Sequence, residues 1–281
     1  MANSLAGFLS VYAQESLPQL IAQAPILASF TTDFSSELAS GGTSIVTRVP
    51  TTTLTANDTD ANGYVALAAT ASSVTVTLKQ RDITHAFSEL EWQNSSQLIN
   101  TFVPSMIKGL INYVANDVCS LVLSSNFASE FTSSAGAFSG SAVTRLAQVL
   151  STANVPAEDR TLVILPTYKE TLVNTVNQAY FINPSANTSV YAGLTIQEYS
   201  NIPSTNNLKG FAAHKSAIAI ATRVPSFGPM VEQSVVTDPK SGLSIAFRTW
   251  HSADDGKWKL AASLIYGYAK GNGSALVRVN S

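Results

Sequence analysis

Residue types that do chemistry occur throughout this sequence, but none is composed into a site. His85, His214 and His251 stand 129 and 37 residues apart and form no HExxH pair, so no metal site is expected. A nucleophilic serine would sit in a GxSxG elbow, which is absent, and SSAGAFSGSA around Ser139 and Gly140 reads as a loop entering a helix, with serine as cap and spacer. Neither GxGxxG nor GxxxxGK[ST] occurs, and GNGSA at 271–275 reads as a flexible turn opening the last strand. Asp254 and Asp255 carry the oxygen ligands that a divalent ion takes, yet beside Gly256 they read as a hairpin turn. Glu89 and Glu91 flank Leu90; on a strand they put two like charges on one exposed or intermolecularly paired face, without the acid and base geometry of a glycosidase. Cys119 falls inside a patterned helix and is expected to be structural. The expected catalytic, cofactor-binding and metal residues are therefore none, and an enzyme is not expected.

The composition narrows the class. With 45% apolar residues the chain has the material for a core, which excludes disorder by composition. Charged residues are only 12%, about half the usual share, and polarity is carried instead by 36 Ser and 27 Thr. So neutral a surface suits a chain that meets other subunits over much of its area. Residues 1–140 hold 4 basic and 10 acidic groups and residues 141–281 hold 12 and 8, so the halves carry −6 and +4. Neither half has a Lys/Arg cluster able to neutralise a run of phosphates, so DNA near this chain is enclosed rather than gripped. The opposite-signed halves suit contact between copies; ordinary scatter of few charges is the plainer alternative. A single cysteine precludes an intrachain disulfide and suits a reducing interior. MANSLAGFLS lacks the basic region and long apolar core of a signal peptide, and the strongest apolar runs are broken by charge before 18 residues, so no membrane span is expected.

Hydropathy patterning supplies the elements. Leu5, Phe8, Leu9, Tyr12 and Leu17 follow helical spacing, with Ser4 as cap and Pro18 as stop, a short amphipathic helix suited to docking or to packing on its own domain. A turn at Gly41 and Gly42 precedes alternation at Ile45, Thr47 and Val49, and a second alternation follows at Val74, Val76 and Leu78. Between them lies a polar tract from about 50 to 73, and the whole reads as a long two-stranded excursion that lies on something. Leu98, Phe102, Met106, Leu110, Val114, Cys119 and Val122, widened by Ile107, Ile111, Val118 and Leu121, predict a helix over 97–123, roughly 40 Å long, with Pro104 dividing a short leading helix from the main one. Its only charges, Lys108 and Asp117, predict cover on both faces. From Ser139 the order is helix, strand, helix beginning at Pro166, and strands at GLTIQEYSNIP and AIAIATRV; three extended stretches broken by DPKSG and ADDG turns follow, then ALVRV.

This order resembles the major capsid protein of tailed double-stranded DNA bacteriophages, whose fold is shared by the herpesvirus capsid floor and by encapsulins. The resemblance is carried by VTVTLKQRDITHAFSELEW at 74–92 running into the long helix, DRTLVILPTYKETLV at 159–173, GLTIQEYSNIP at 193–203, GFAAHKSAIAIATRVP at 210–225, and the return strands LSIAFRTW, KWKLAASLIYGYAK and ALVRV. It implies an α+β fold with an N-terminal arm and first strand at 1–49, an extended loop at 50–80 lying across a neighbouring subunit, a peripheral domain with its spine helix at 81–135, an axial domain at 136–229, peripheral return strands at 230–269 and a closing axial strand at 270–281. It also implies pentamers and hexamers in an icosahedral shell enclosing double-stranded DNA, assembled in the bacterial cytoplasm, with scaffolding, portal and decoration proteins as further partners and no cofactor. An encapsulin-like compartment is the first alternative, and a hydroxyl-rich enzyme or carbohydrate-binding module the second. Some capsids of this kind crosslink a lysine to an asparagine with a glutamate as helper; residues 49–78 hold no lysine and Lys79 lies at the loop's return base, so that crosslink is not expected.

The tract at 53–72 is polar, poor in core residues and flanked by strands. Replacing it with an Asn-Gly turn should leave soluble, folded subunits that form no shells, as scored by circular dichroism and negative-stain microscopy; normal shells would remove the assembly role of this tract.

Overall fold

The computed structural model describes residues 17, 27, 29, 31–33, 44–50, 71–93, 95–175, 189–204, 207–225, 232–238 and 242–281. The expected helix at 5–17 lies almost wholly outside them, as do the Gly41–Gly42 turn and most of the polar tract.

A strand of 14 residues, β13 (Lys257–Lys270), organises the first sheet and spans about 46 Å at ~3.3 Å per residue. Along one edge it pairs antiparallel with β12 (Ser244–Ser252) and then with β10 (Ile218–Arg223), and along the other with β4 (Lys79–Phe87). β11 (Glu232–Thr237) extends the sheet from β12, and β1 (Thr31–Asp33) lies parallel to β10. The 253–256 segment is the expected hairpin turn, with Gly256 at φ 63. A second sheet has the order β5 (Glu130–Thr132), β14 (Leu276–Asn280), β9 (Leu208–His214), β6 (Arg160–Ile164), β8 (Leu194–Glu198) and β7 (Ser189–Tyr191). β2 (Ser44–Pro50) and β3 (Ala71–Thr77) form the two-stranded ribbon, in the register Ile45↔Val76 and Thr47↔Val74.

Sheet pairing crosses the bounds of the expected segments. Residues 218–223, read with the axial segment 136–229, pair with β13 in the first sheet, and residues 130–132, read with the peripheral segment 81–135, pair with β14 in the second. Apolar alternation makes a strand without naming its neighbour, so these partners are set by tertiary packing.

Among the described residues, a short helix and a long one lead toward the second sheet and two further helices pack with it. Residues 89–93 form α1 (Glu89–Gln93) rather than the strand face expected for Glu89 and Glu91. The reason is a capping box: the Ser88 backbone N–H and hydroxyl both donate to Glu91 Oε2 at 2.8 Å, and the Glu91 N–H donates back to Ser88 Oγ at 3.3 Å. These bonds hold the exposed Glu91 carboxyl below its usual pKa. The long helix α2 (Ser95–Cys119) has 25 residues, about 37 Å, and runs unbroken through Pro104. Packing holds that turn despite the missing N–H, since Val103, Met106 and Ile107 beside it are all buried. Leu110, Ile111, Val114, Val118 and Cys119 continue the buried stripe, while Ser105, Lys108, Tyr113 and Asn116 are exposed. Among the described residues of α2, the buried ones thus lie along one side and the exposed ones along the other. Gly109 lets the helix approach β4 closely, since a Cβ there would stand 2.9 Å from Ile83 Cδ1.

In the second sheet, α3 (Gly140–Thr152) begins after Ser139, which caps it by position without a side-chain bond to the helix backbone, and α4 (Pro166–Thr175) starts at the expected proline. Arg160, buried beside α3, donates to the carbonyls of Ala147, Val155 and Pro156 and to Ser151 Oγ, so its guanidinium closes the C-terminal turn of that helix. One continuous apolar core joins α2 and β13 to the second sheet, running from Leu110, Val114 and Leu264 through Phe127 to Val163, Phe211 and Val277.

Leu110 is 2% exposed within that core. Leu110→Ala should cost about 2–5 kcal/mol in urea denaturation, and Leu110→Asp should abolish soluble folded protein; an unchanged midpoint for either would refute the packing of α2.

Candidate functional site

The chemistry-bearing residues are dispersed. His85 stacks on Phe102 and meets Phe87 edge-on, each at 4.5 Å between ring centroids. His251 meets its cross-strand partner Trp258 at 5.3 Å, and His214 caps the 215–217 turn by accepting from the Ser216 N–H at 3.2 Å. Burial is the largest influence on His214 and lowers its pKa. Among the described residues no three His, Cys, Asp or Glu side chains gather as a metal site. Asp255 pairs with Lys259 at 3.0 Å, and bonds from Ser252 and Lys259 bring its pKa down to about 2, so this aspartate stabilises its own turn. Cys119 is buried and desolvation pushes its thiol up to about 12, which leaves it unreactive. At 271–275 the turn is capped, since Asn272 Oδ1 accepts from the Ser274 N–H at 3.0 Å. Clefts along α3 contain one ionisable side chain, Arg145, and a cleft on α4 contains the Lys169–Glu198 pair at 3.1 Å. Neither arrangement sets a nucleophile beside a base.

Among the described residues, a polar cluster that ties three elements together lies where the ribbon leaves the first sheet. Lys79 and Arg81 are alternate residues of β4, Tyr113 and Asp117 are one turn apart on α2, and Tyr266 and Tyr268 are alternate residues of β13, so each pair projects from one face of its element. Lys79 Nζ lies 2.5 Å from Asp117 Oδ2 and 3.2 Å from Tyr268 Oη, and 4.4 Å from the centroid of the Tyr268 ring. Tyr266 Oη donates to the same Asp117 oxygen at 2.5 Å, and the Arg81 guanidinium sits 5.3 Å from the centre of the Tyr113 ring. Burial works against both charges. For Asp117 the bonds from Lys79 and Tyr266 outweigh it and leave the pKa lowered, and for Lys79 the bonds to Asp117 and Tyr268 outweigh it and leave the pKa raised. Burial and then donation to Asp117 push Tyr266 upward.

Beside this cluster the ribbon is seated on its own subunit. Val76 is fully buried against Ala219 and Ala221 of β10, with Val74, Leu78 and Ala269 packed around them. Sequence reasoning reached Lys79 as the loop base and Asp117 as a rare helix charge, but it missed Tyr266 and Tyr268. Asp117 and Tyr266 are 149 residues apart, and no local pattern reports such a pairing.

No protein-family model and no curated protein matches the sequence. Solved structures do match. One from Mycobacterium phage Che8 shares 17% identity at a TM-score of 0.57 over 90% of each chain. The capsid structure of Cyanophage P-SCSP1u shares 13% at 0.59 over 89% of this chain and 86% of its own. The virus-like particle from Pyrococcus furiosus shares 11% at 0.62 over 97% of this chain and 99% of its own. The chain has the capsid fold of tailed bacteriophages. Within this capsid fold the Lys79–Asp117 cluster stands at the junction of the two-stranded ribbon, the long helix α2 and the first sheet.

The pH dependence of that junction has a definite sign. A lowered Asp117 pKa contributes stability that is present above its ordinary value of 3.8 and is lost as pH falls through the folded value; a raised Lys79 pKa contributes stability that is present below 10.5 and is lost as pH rises through the folded value. Asp117→Asn should cost about 1–3 kcal/mol at neutral pH. The gap from the parent should shrink as pH drops below 3.8 in denaturant titrations; a gap independent of pH there would show that the Asp117 charge does not hold the junction.

Proposed function

We propose that this chain is the self-assembling subunit of an icosahedral shell that encloses the double-stranded DNA of a tailed bacteriophage. The observation that carries the reading is the capsid fold across nine-tenths or so of the chain, at TM-scores of 0.57 to 0.62. Low charge, a hydroxyl-rich composition and a separate two-stranded ribbon support it, because each is useful for a chain covered by its neighbours. In this reading residues 50–80 form the loop that crosses a neighbouring copy, α2 is the spine of a peripheral domain, and the second sheet belongs to an axial domain that gathers at five-fold and six-fold centres. The shell assembles in the bacterial cytoplasm, with scaffolding, portal and decoration proteins as its further partners, and DNA is held inside by enclosure.

A compartment without a genome is the second reading, favoured by the 97% and 99% mutual coverage with the Pyrococcus furiosus virus-like particle. Contents separate the two. Purified product viewed by negative stain should show closed shells, and nuclease-protected DNA should accompany shells isolated from infected cells. Unassembled subunits at every concentration would remove the shell reading, and shells filled with a protein cargo in place of DNA would establish the compartment.

A further inference from the structure

We infer that the direction of the β2–β3 ribbon is set inside its own subunit by a two-point mount, so that a free subunit offers the ribbon already aimed at a second copy of the chain. The partner in this inference rests on the shell reading above, whereas the mount itself stands on geometry alone.

The run 71–87 is strand throughout except at Leu78, where the chain leaves the ribbon for the first sheet. A lone two-stranded ribbon joined by one such residue would swing, and docking would then have to order it at a cost in conformational entropy. Contacts on both sides of Leu78 prevent that. On the ribbon side, Val76 is fully buried against Ala219 and Ala221, and the backbone passes so close to β13 that a Cβ on Gly267 would stand 2.5 Å from the Thr77 carbonyl oxygen and 2.7 Å from Val76 Cγ1. Only a residue without a side chain permits this seat. On the sheet side, Lys79 pairs in register with Tyr266, the neighbour of Gly267, while its ammonium is bonded to Asp117 and Tyr268. Rotation of the ribbon about Leu78 must lift Val76 from its shelf, and displacement of the pivot itself must break the Lys79 bonds. With the ribbon so fixed, the opposite face is turned outward, and it carries Thr75 and its cross-strand partner Val46, an apolar side chain that is 58% exposed.

The test measures aim and assembly separately. Spin labels are placed on Thr75→Cys and Lys108→Cys, both exposed positions, in subunits held too dilute to assemble; buried Cys119 stays unlabelled. The parent should give one narrow distance distribution. Gly267→Val should broaden it, and Lys79→Met, which leaves the shelf intact, should broaden it less, while circular dichroism stays at the parent level for the latter. Shell formation followed by light scattering should slow at least tenfold in Gly267→Val. A parent distribution as broad as that of the variants, or shells forming from both variants at the parent rate, would overturn the inference. A narrow parent distribution that broadens in the variants, with no shells from any of them, would support the mount and count against the shell reading alone.

Discussion

Saturation of both edges of β13 is the constraint from which the rest follows. Residues 257–263 are bonded to β12, residues 265–270 to β10 and residues 258–266 to β4, so one strand has partners drawn from three separate parts of the chain. Its buried face, with Leu260, Leu264 and Tyr266, then receives α2, and its far half carries Gly267 under the ribbon. The position of the helix and the exit of the ribbon are thus both referred to a single element. Small residues make this crowding tolerable: Ala261, Ala262 and Ser263 stand in a row between Leu260 and Leu264, and Gly267 lies between Tyr266 and Tyr268.

How much of this could be read beforehand depended on the range of the interaction. The stripe from Met106 to Cys119 was legible because a helix repeats its own pattern, although the expected helix over 97–123 ran four residues past the observed end, and the ribbon was legible because Ile45, Thr47, Val74 and Val76 alternate on strands that pair with each other. The break at Leu78 was not, since alternation through Val74, Val76 and Leu78 continues unaltered as the chain changes sheets. Ser88 and Glu91 did carry a local signal, the spacing of a capping box, which a reading of Glu89 and Glu91 as a strand face passed over. The Lys79, Asp117 and Tyr266 cluster had no local signal at all, and neither did the placement of residues 218–223 beside β13.

The hydroxyls that replace charge in this sequence are partly spent on the chain itself. Thr144, Thr152, Thr171 and Thr175 each donate to the carbonyl four residues back in their helices, and Thr31 does the same to Leu27. Such bonds satisfy a polar group without asking for solvent, so these surfaces lose little when covered by another copy. A lysine or glutamate at the same positions would have to be dehydrated or paired.

The pairing of β4 with β13 also has a consequence in time. Residues 79–87 leave the ribosome some 170 residues before their partners, and contacts so distant in sequence form late. Until residues 257–270 have been synthesised, the ribbon lacks Gly267 as a seat and Tyr266 and Tyr268 as part of its clamp, while α2 lacks the strand beneath it. Nascent chains that end before β13 therefore lack both halves of the mount inferred above. If copies of this chain join into a shell as proposed, competence to do so belongs to chains synthesised at least through β13, a proofreading of subunits that needs no separate inspector.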